Sequence, residues 1–400
     1  MAAQGRDQDD AVSLSLLSLN SNGNSDGVLP LQPILPIEIV EEIICRFPVK
    51  FLLQLRCVCK TWNSLISDPK FARRHLGRFN RHFLLIRFHL TIIDGRMREE
   101  NFMSYPLSSV LKDVVTGATQ LDSPLKYGKI IGSCDGIICC YNLSSELHHS
   151  FVVWNPSTRK LWELTPLKKP LLEEYRDRRE FHSYGFGYDH LSDSFKLVVI
   201  FYYECPAGGY KTRAMVHTLG SNSWRRIDNF PDIPYCEFGK FGKVLSGAVN
   251  WLACDDALNF NLRQGITSLD LGKESYQELL QPDYGGIEVR GLAMDIMRDC
   301  LCILVNWDFW IMNEYGNNES WTKLFSFPLD FCSVRFVFNV GNHSLCVLED
   351  DELLFHSLRQ LDVYSYKNGT SRRPRLDITP VLIKDLYIES ESLISPCPHN

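Results

Sequence analysis

Between residues 128 and 372 one unit keeps returning: an apolar run, a polar turn, then an aromatic residue shortly before another apolar one. It reads Val152-Val153-Trp154-Asn155-Pro156-Ser157-Thr158-Arg159-Lys160-Leu161-Trp162-Glu163-Leu164. It recurs at Val216 to Ile227 with Trp224, at Ile266 to Leu279 with Tyr276, at Ile311 to Leu324 with Trp321, and in degenerate form at Val363 to Arg372. β-Favouring runs around turns of Asn, Gly, Ser or Lys predict a β-hairpin each time. A second unit precedes each hairpin, a strand pair with Gly or Asp near its turn: Ile131 to Ile138, Tyr184 to Asp189, Ser246 to Leu252, Gly291 to Asp295 and Phe338 to Asn342. Together the units give four strands in about 45–60 residues, the size of a propeller blade. Five blades are counted this way. Phe83 to Phe88 and Phe102 to Leu107 begin a sixth, and Val381 to Ile388 completes it. Closing the ring with strands from both ends removes the open sheet edge. The expected architecture is a small all-α domain followed by a large all-β domain, an irregular, roughly six-bladed β-propeller.

The helical part lies ahead of residue 80. Residues 1–30, rich in Ser, Asn, Asp, Gly and Gln and without aromatics, are expected to be a disordered tail. Leu35-Pro36 then opens a helix, proline being suited to the first helical position. Glu38, Glu41 and Glu42 complement the helix dipole. Ile39, Ile43 and Phe47 recur at four-residue spacing, with Val40 and Ile44 alongside, making one broad apolar face. Pro48 ends that helix. A second covers Lys50 to Leu55, a third Arg56 to Ile66 with Val58, Trp62, Leu65 and Ile66 on one side, and a last short one Phe71 to Leu76 after the Asp68-Pro69 turn. So few residues make a poor independent core. The surplus of apolar surface predicts a partner packed against it.

The string Leu35-Pro36-x-Glu38-Ile39-Val40-x-x-Ile43-Ile44-x-Arg46-Phe47-Pro48-Val49-Lys50 resembles a plant-type F-box, as does its continuation Arg56-Cys57-Val58-Cys59-Lys60-x-Trp62-x-Ser64-Leu65-Ile66-Ser67-Asp68-Pro69-x-Phe71. Phe51 departs from it, standing where such sequences usually carry Ser. The later region resembles the kelch-like, propeller-like F-box-associated domain through Ser133-Cys134-Asp135-Gly136-Ile137, Trp154 to Arg159, Tyr184 to Asp189, Asp193 to Val198 and Gly247-Ala248-Val249-Asn250-Trp251. The resemblance implies a three-helix F-box domain over 31–78 and an F-box-associated domain over 80–393. It also implies a substrate-recognition subunit of a Skp–cullin–F-box ubiquitin ligase. The F-box would dock on a Skp-type adaptor through Leu35, Pro36, Ile39, Ile43, Ile44, Pro48, Leu52, Val58 and Trp62, the adaptor would bridge to cullin, and the propeller would hold a target protein.

A chain of 400 residues, 45% of them hydrophobic, has material for a small module and one large domain. Its net charge of −6 gives no electrostatic footprint for nucleic acid. No apolar run is long enough for a membrane span. Asp7, Asp9 and Asp10 stand where a signal peptide would be basic, so a cytoplasmic or nuclear location is expected, with most of the 14 cysteines as free thiols. Cys57 and Cys59, Cys139 and Cys140, and Cys300 and Cys302 lack zinc-site spacing, and no metal or cofactor is expected. Gly185-x-Gly187 lacks the third glycine of a phosphate loop. His148 and His149 are read as solvated loop residues beside Glu146, and Lys168 to Glu180 as a charged, solvated interblade loop, with the frame of a substrate site as its alternative reading. Trp154, Trp162, Trp224, Trp251 and Trp321 recur with the repeat and are assigned to blade core. Trp307 and Trp310 fit no repeat register and are the candidate exposed contacts for a target. No catalytic constellation emerges. An adaptor-bound scaffold that does not drive degradation, and an enzyme acting on a small molecule in a propeller channel, remain as rival readings.

Overall fold

The computed structural model describes residues 35–78, 82–93, 96–112, 117–122, 128–142, 148–168, 180–206, 208–233, 240–254, 264–287, 289, 291–328, 345–347, 351–356, 361–376 and 382–396. The tail expected over 1–30, the Phe338 to Asn342 unit and most of Lys168 to Glu180 lie outside them.

Four helices come first, not the three the resemblance implies: α1 (Ile37–Ile44), α2 (Val49–Leu55), α3 (Lys60–Ser67) and α4 (Pro69–Arg78). The Pro36 carbonyl accepts from the Ile39 and Val40 N–H groups, starting α1. A turn at Arg46 and Phe47 separates α1 from Pro48, which caps α2 in an extended conformation and accepts from Phe51 and Leu52. The predicted third helix does not begin at Arg56. Cys59 is extended, at φ −155°, so residues 56–58 form a turn and α3 starts at Lys60. Pro69 opens α4, and Asp68 caps it through its Oδ1, 2.7 Å from the Lys70 N–H. Phe71 and Ala72 are buried on α4, and His75 Nε2 lies 2.8 Å from the Phe47 carbonyl, tying the last helix to the turn before α2.

Six antiparallel sheets follow. Blade 1 begins with β1 (His82–Ile93), β2 (Arg96–Pro106), the short α5 (Leu107–Leu111) and β3 (Thr119–Leu121). Blade 2 is β4 (Gly128–Cys134), β5 (Ile137–Asn142), β6 (His148–Asn155) and β7 (Lys160–Glu163), with β8 (Leu167–Lys168) pairing the start of β6. Blade 3 is β9 (Glu180–Asp189), β10 (Ser194–Glu204), β11 (Tyr210–Thr218) and β12 (Trp224–Arg226). Blade 4 is β13 (Lys243–Leu245), β14 (Ala248–Cys254), β15 (Gln264–Asp270) and β16 (Tyr276–Leu280). Blade 5 is β17 (Leu292–Met297), β18 (Cys300–Val305), β19 (Asp308–Met312) and β20 (Trp321–Ser326). Blade 6 is β21 (Leu345–Val347), β22 (Glu352–His356), β23 (Leu361–Ser365) and β24 (Thr370–Arg372). The last strand, β25 (Leu382–Ser390), returns to pair with β1 and completes blade 1, with Phe83 opposite Glu389 and Leu85 opposite Tyr387. Ring closure by strands from both ends of the domain is therefore present. All five hairpins read from the repeat are there too, as β6–β7, β11–β12, β15–β16, β19–β20 and β23–β24.

The first strands of successive blades, β4, β9, β13, β17 and β21, touch in sequence and β21 meets β25, so these strands line the ring. The apolar core lies between neighbouring blades. Phe83, Leu85 and Phe102 of blade 1 pack with Ile138, Val152 and Trp154 of blade 2. Val198, Ile200 and Val216 of blade 3 pack with Val249, Trp251 and Leu269 of blade 4. With a neighbour on each side, both faces of a central strand are covered, and β10 is buried from Phe195 to Tyr203. Trp251 is fully buried and its Nε1 donates to the Tyr184 carbonyl across the blade boundary at 2.9 Å. Gly185 and Gly242 make room for it, since a Cβ at either would lie within 2.7 Å of its indole. Trp224 and Trp321, each on an outer strand, donate to Thr165 and Leu280 carbonyls of the preceding blade. At these two boundaries the recurring aromatic locks a blade to the one before, whereas Trp162, expected in the blade core, is exposed on the outer strand β7.

Buried polar groups reinforce the boundary of blades 1 and 2 and that of blades 3 and 4. Asn155 is fully buried. Its amide donates to the Ser392 and Ile394 carbonyls at 3.0 and 2.7 Å, while its Oδ1 accepts from the Ser157 and Thr158 N–H groups. The segment after β25 is thereby fastened to blade 2. Gly136, at φ 75°, lets it pass, because a Cβ there would sit 2.5 Å from the Ser390 carbonyl. Between blades 3 and 4, the buried Lys196 ammonium lies 2.9 Å from Asp189 and 3.0 Å from Glu274, and donates to the Leu271 carbonyl. Arg225 also pairs with Glu274.

Candidate functional site: the exposed face of the helical domain

Helix α1 carries two aliphatic stripes. Val40 and Ile44, one turn apart, are buried, whereas Ile39 and Ile43, also one turn apart, are each 46% exposed. Leu35 and Ile37 are exposed as well, and Pro36 with them. Val58 is the most exposed aliphatic of the helical segment, standing at the α2–α3 turn. Exposed aliphatic side chains of this kind are the sort that a partner covers. Phe51, the departure from the F-box pattern, is half-buried with its ring 4.9 Å from that of Phe47.

The expected docking residues separate into two groups. Leu35, Pro36, Ile39, Ile43 and Val58 are exposed, and Pro48 is half-buried where it caps α2. Ile44, Leu52 and Trp62 are not surface residues: all three are buried, Leu52 completely. Their assignment to docking is corrected to the interior, where Cys45, Val49, Leu55 and Ile66 are also buried. Ile37, at 44% exposure, was not singled out from the sequence, although an aliphatic residue in the first helical turn beside Leu35 is a signal of the same kind.

Two further expectations change. Trp307 and Trp310 are half-buried packing residues rather than exposed contacts. Strand alternation in β19 sends Trp310 with Met312 to the core between blades 4 and 5, where its ring lies 6.1 Å from Tyr284, and sends Phe309 with Ile311 to the next core, which Trp307 also joins. His149 is not a solvated loop residue. It lies in β6, buried among Tyr141, Phe151, His182 and Phe201, with the His182 ring 4.7 Å away. Gly185 and Gly187 serve packing, the latter against Leu271 and Val244. Among the described residues no three His, Cys, Asp or Glu side chains group to hold a metal ion. Burial pushes the Cys139 thiol well above its usual range, consistent with an inert, apolar role.

Comparison with known proteins fits this division. Residues 33–74 match the family described as the F-box domain, and residues 97–368 match the F-box associated beta propeller domain. The chain belongs to the F-box proteins that carry an F-box-associated propeller. An F-box/kelch-repeat protein of Arabidopsis thaliana is 27% identical over 74% of this chain and 79% of its own length. The F-box protein CPR1 of the same plant is 28% identical over 73% of this chain and 72% of its own. Among solved structures, the beta-propeller domain of the Trilobed protease from Pyrococcus furiosus aligns with 69% of this chain and 76% of its own at 9% identity, with a TM-score of 0.36.

Proposed function

We propose that this protein is the substrate-recognition subunit of a Skp–cullin–F-box ubiquitin ligase acting in the cytoplasm or nucleus. The observation that carries the reading is the set of exposed aliphatic side chains Leu35, Ile37, Ile39, Ile43 and Val58 on a segment that buries Val40, Ile44, Val49, Leu52, Leu55 and Ile66. A Skp-type adaptor covers that set and bridges to cullin, and the propeller holds the target. Covering a fully exposed aliphatic side chain stabilises a complex by about 1.5–3 kcal/mol, so five half-exposed ones contribute a substantial part of a stable interface. The chain supplies no reacting group. It raises the effective concentration of a target lysine near a ubiquitin-charged enzyme.

The test is co-purification of adaptor with the full chain carrying Ile39→Asp and Ile43→Asp. Both side chains face solvent, so the fold is retained while a buried charge is forced into the complex. Loss of adaptor, with an unchanged melting temperature, is the expected result. Adaptor captured at wild-type level by the double variant refutes the docking assignment. The same outcome is expected of Leu35→Ala combined with Pro36→Ala.

A further inference from the structure

Helix α4 reaches the propeller through Arg73. Arg73 Nη2 lies 3.2 Å from Asp193 Oδ1, and its guanidinium carbon lies 3.9 Å from the centroid of the Tyr188 ring. Tyr188 in turn donates its hydroxyl to Asp193. The three groups close a triangle: a planar cation on an aromatic face, paired with the acid that accepts from the same ring. The side facing Arg73 is firmly held. Tyr188 is buried, with Phe195 and His190 packed edge-on at 5.2 and 4.9 Å. Its neighbour Asp189 is fixed by the Leu191 N–H, the Ser192 hydroxyl and the buried Lys196. Asp135, in the first turn of blade 2, also lies within the field of the Arg73 charge. The triangle therefore sits where blades 2 and 3 present their first turns, on a base braced by a buried ion pair.

This arrangement is poorly suited to adding stability. Asp193 is 79% exposed and Arg73 about one-third exposed, so their attraction is screened by water. It is well suited to fixing direction. A guanidinium must lie flat on the ring and edge-on to the carboxylate at once, and few orientations of α4 satisfy both. We infer that Arg73 is a positioning residue, which sets the angle between helices α2–α4 and the propeller and thereby aims a bound target at the ubiquitin-charged enzyme. The aiming role rests on the ligase reading above; the orientation itself does not.

The test measures orientation and docking separately on the full chain. Dyes attached to genetically encoded reactive residues at Lys50, exposed on α2, and Lys367, 74% exposed in blade 6, report the angle by single-molecule energy transfer. The wild type is expected to give one narrow transfer peak. Arg73→Ala and, independently, Asp193→Ala are expected to lose it, giving a broad or displaced distribution, with adaptor capture and melting temperature unchanged. Arg73→Lys keeps the charge without the planar stack and is expected to broaden the peak as well. A narrow peak at the wild-type position in Arg73→Ala overturns the inference. So does a variant that melts earlier or loses adaptor, because that assigns Arg73 to folding. If the wild type captures no adaptor, the ligase reading falls while the transfer result still decides the orientation.

Discussion

Removing Asn155 should unfasten the segment that follows β25. Asn155→Ala deletes two donated and two accepted hydrogen bonds and leaves the Ser392 and Ile394 carbonyls without their buried donor. Each bond contributes about 0.5–1.5 kcal/mol net, more where a buried partner is orphaned, and losses within one network do not add fully, so the expected cost is about 3 kcal/mol. At about 2–4 °C per kcal/mol for domains of this class, the melting temperature should fall by about 6 °C or more. Asn155→Asp keeps both acceptors but turns an oxygen toward two carbonyls, so it isolates the contribution of the donated pair. Calorimetry should be combined with limited proteolysis, which should cut first within 391–396. A chain ending at Ser390 provides the control: with the fastened segment gone, Asn155→Ala should cost about half as much, by the same per-bond magnitude. If Asn155→Ala melts within a degree of wild type, or costs as much in the shortened chain, the latch does not work as described.

Three further outcomes are expected. Trp251→Phe keeps an aromatic ring but removes the pyrrole half of the indole with its donor to the Tyr184 carbonyl, and should lower the urea midpoint by an amount equal to about 1–3 kcal/mol or more; an unchanged midpoint would show that the interblade bond is dispensable. Lys196→Met leaves the buried Asp189 without its cation, while Glu274 keeps Arg225, and should cost about 3–5 kcal/mol in denaturant titration, far more than a comparable surface lysine. Burial holds the Glu389 carboxyl at about 8 against an opposing hydrogen bond from Ser133, so the folded state keeps a proton that the unfolded chain gives up near pH 4.5. Stability should accordingly fall as pH rises from about 4.5 to 8. In Glu389→Gln that loss should vanish, the variant gaining on wild type across this window; parallel melting curves from pH 5 to 8 would contradict it.

Much of this architecture was readable in one dimension because the hairpins that end the blades repeat in sequence, and two of their aromatics, Trp224 and Trp321, also bridge to the preceding blade. Trp224, Tyr276 and Trp321 recur for a local reason, the position of the outer strand, so their spacing exposes the blade. What was misread has a common cause, burial on both faces. In β19 neither Trp310 nor Phe309 points to water, so alternation carries no sign of which side is solvent. His149 looked like a loop residue because a polar pair beside a turn usually is, yet its strand is covered by the aromatic rings of blade 3. In α1 the sequence offers two equally aliphatic stripes, and only packing distinguishes Val40 and Ile44 from Ile39 and Ile43. Arg73 gave no signal at all, since its partners Tyr188 and Asp193 become neighbours only through the fold.

The pairing of β25 with β1 sets a timetable for synthesis. The helical segment and the first three strands of blade 1 leave the ribosome long before residue 382 is made, and until then β1 offers a row of unpaired amides and carbonyls to any strand that meets it. A nascent chain can therefore complete its helices while the ring is still open. A message truncated anywhere in blades 2 to 6 yields a product of a particular kind: complete in its helical segment, unable to shield its own edge, and so a seed for aggregation.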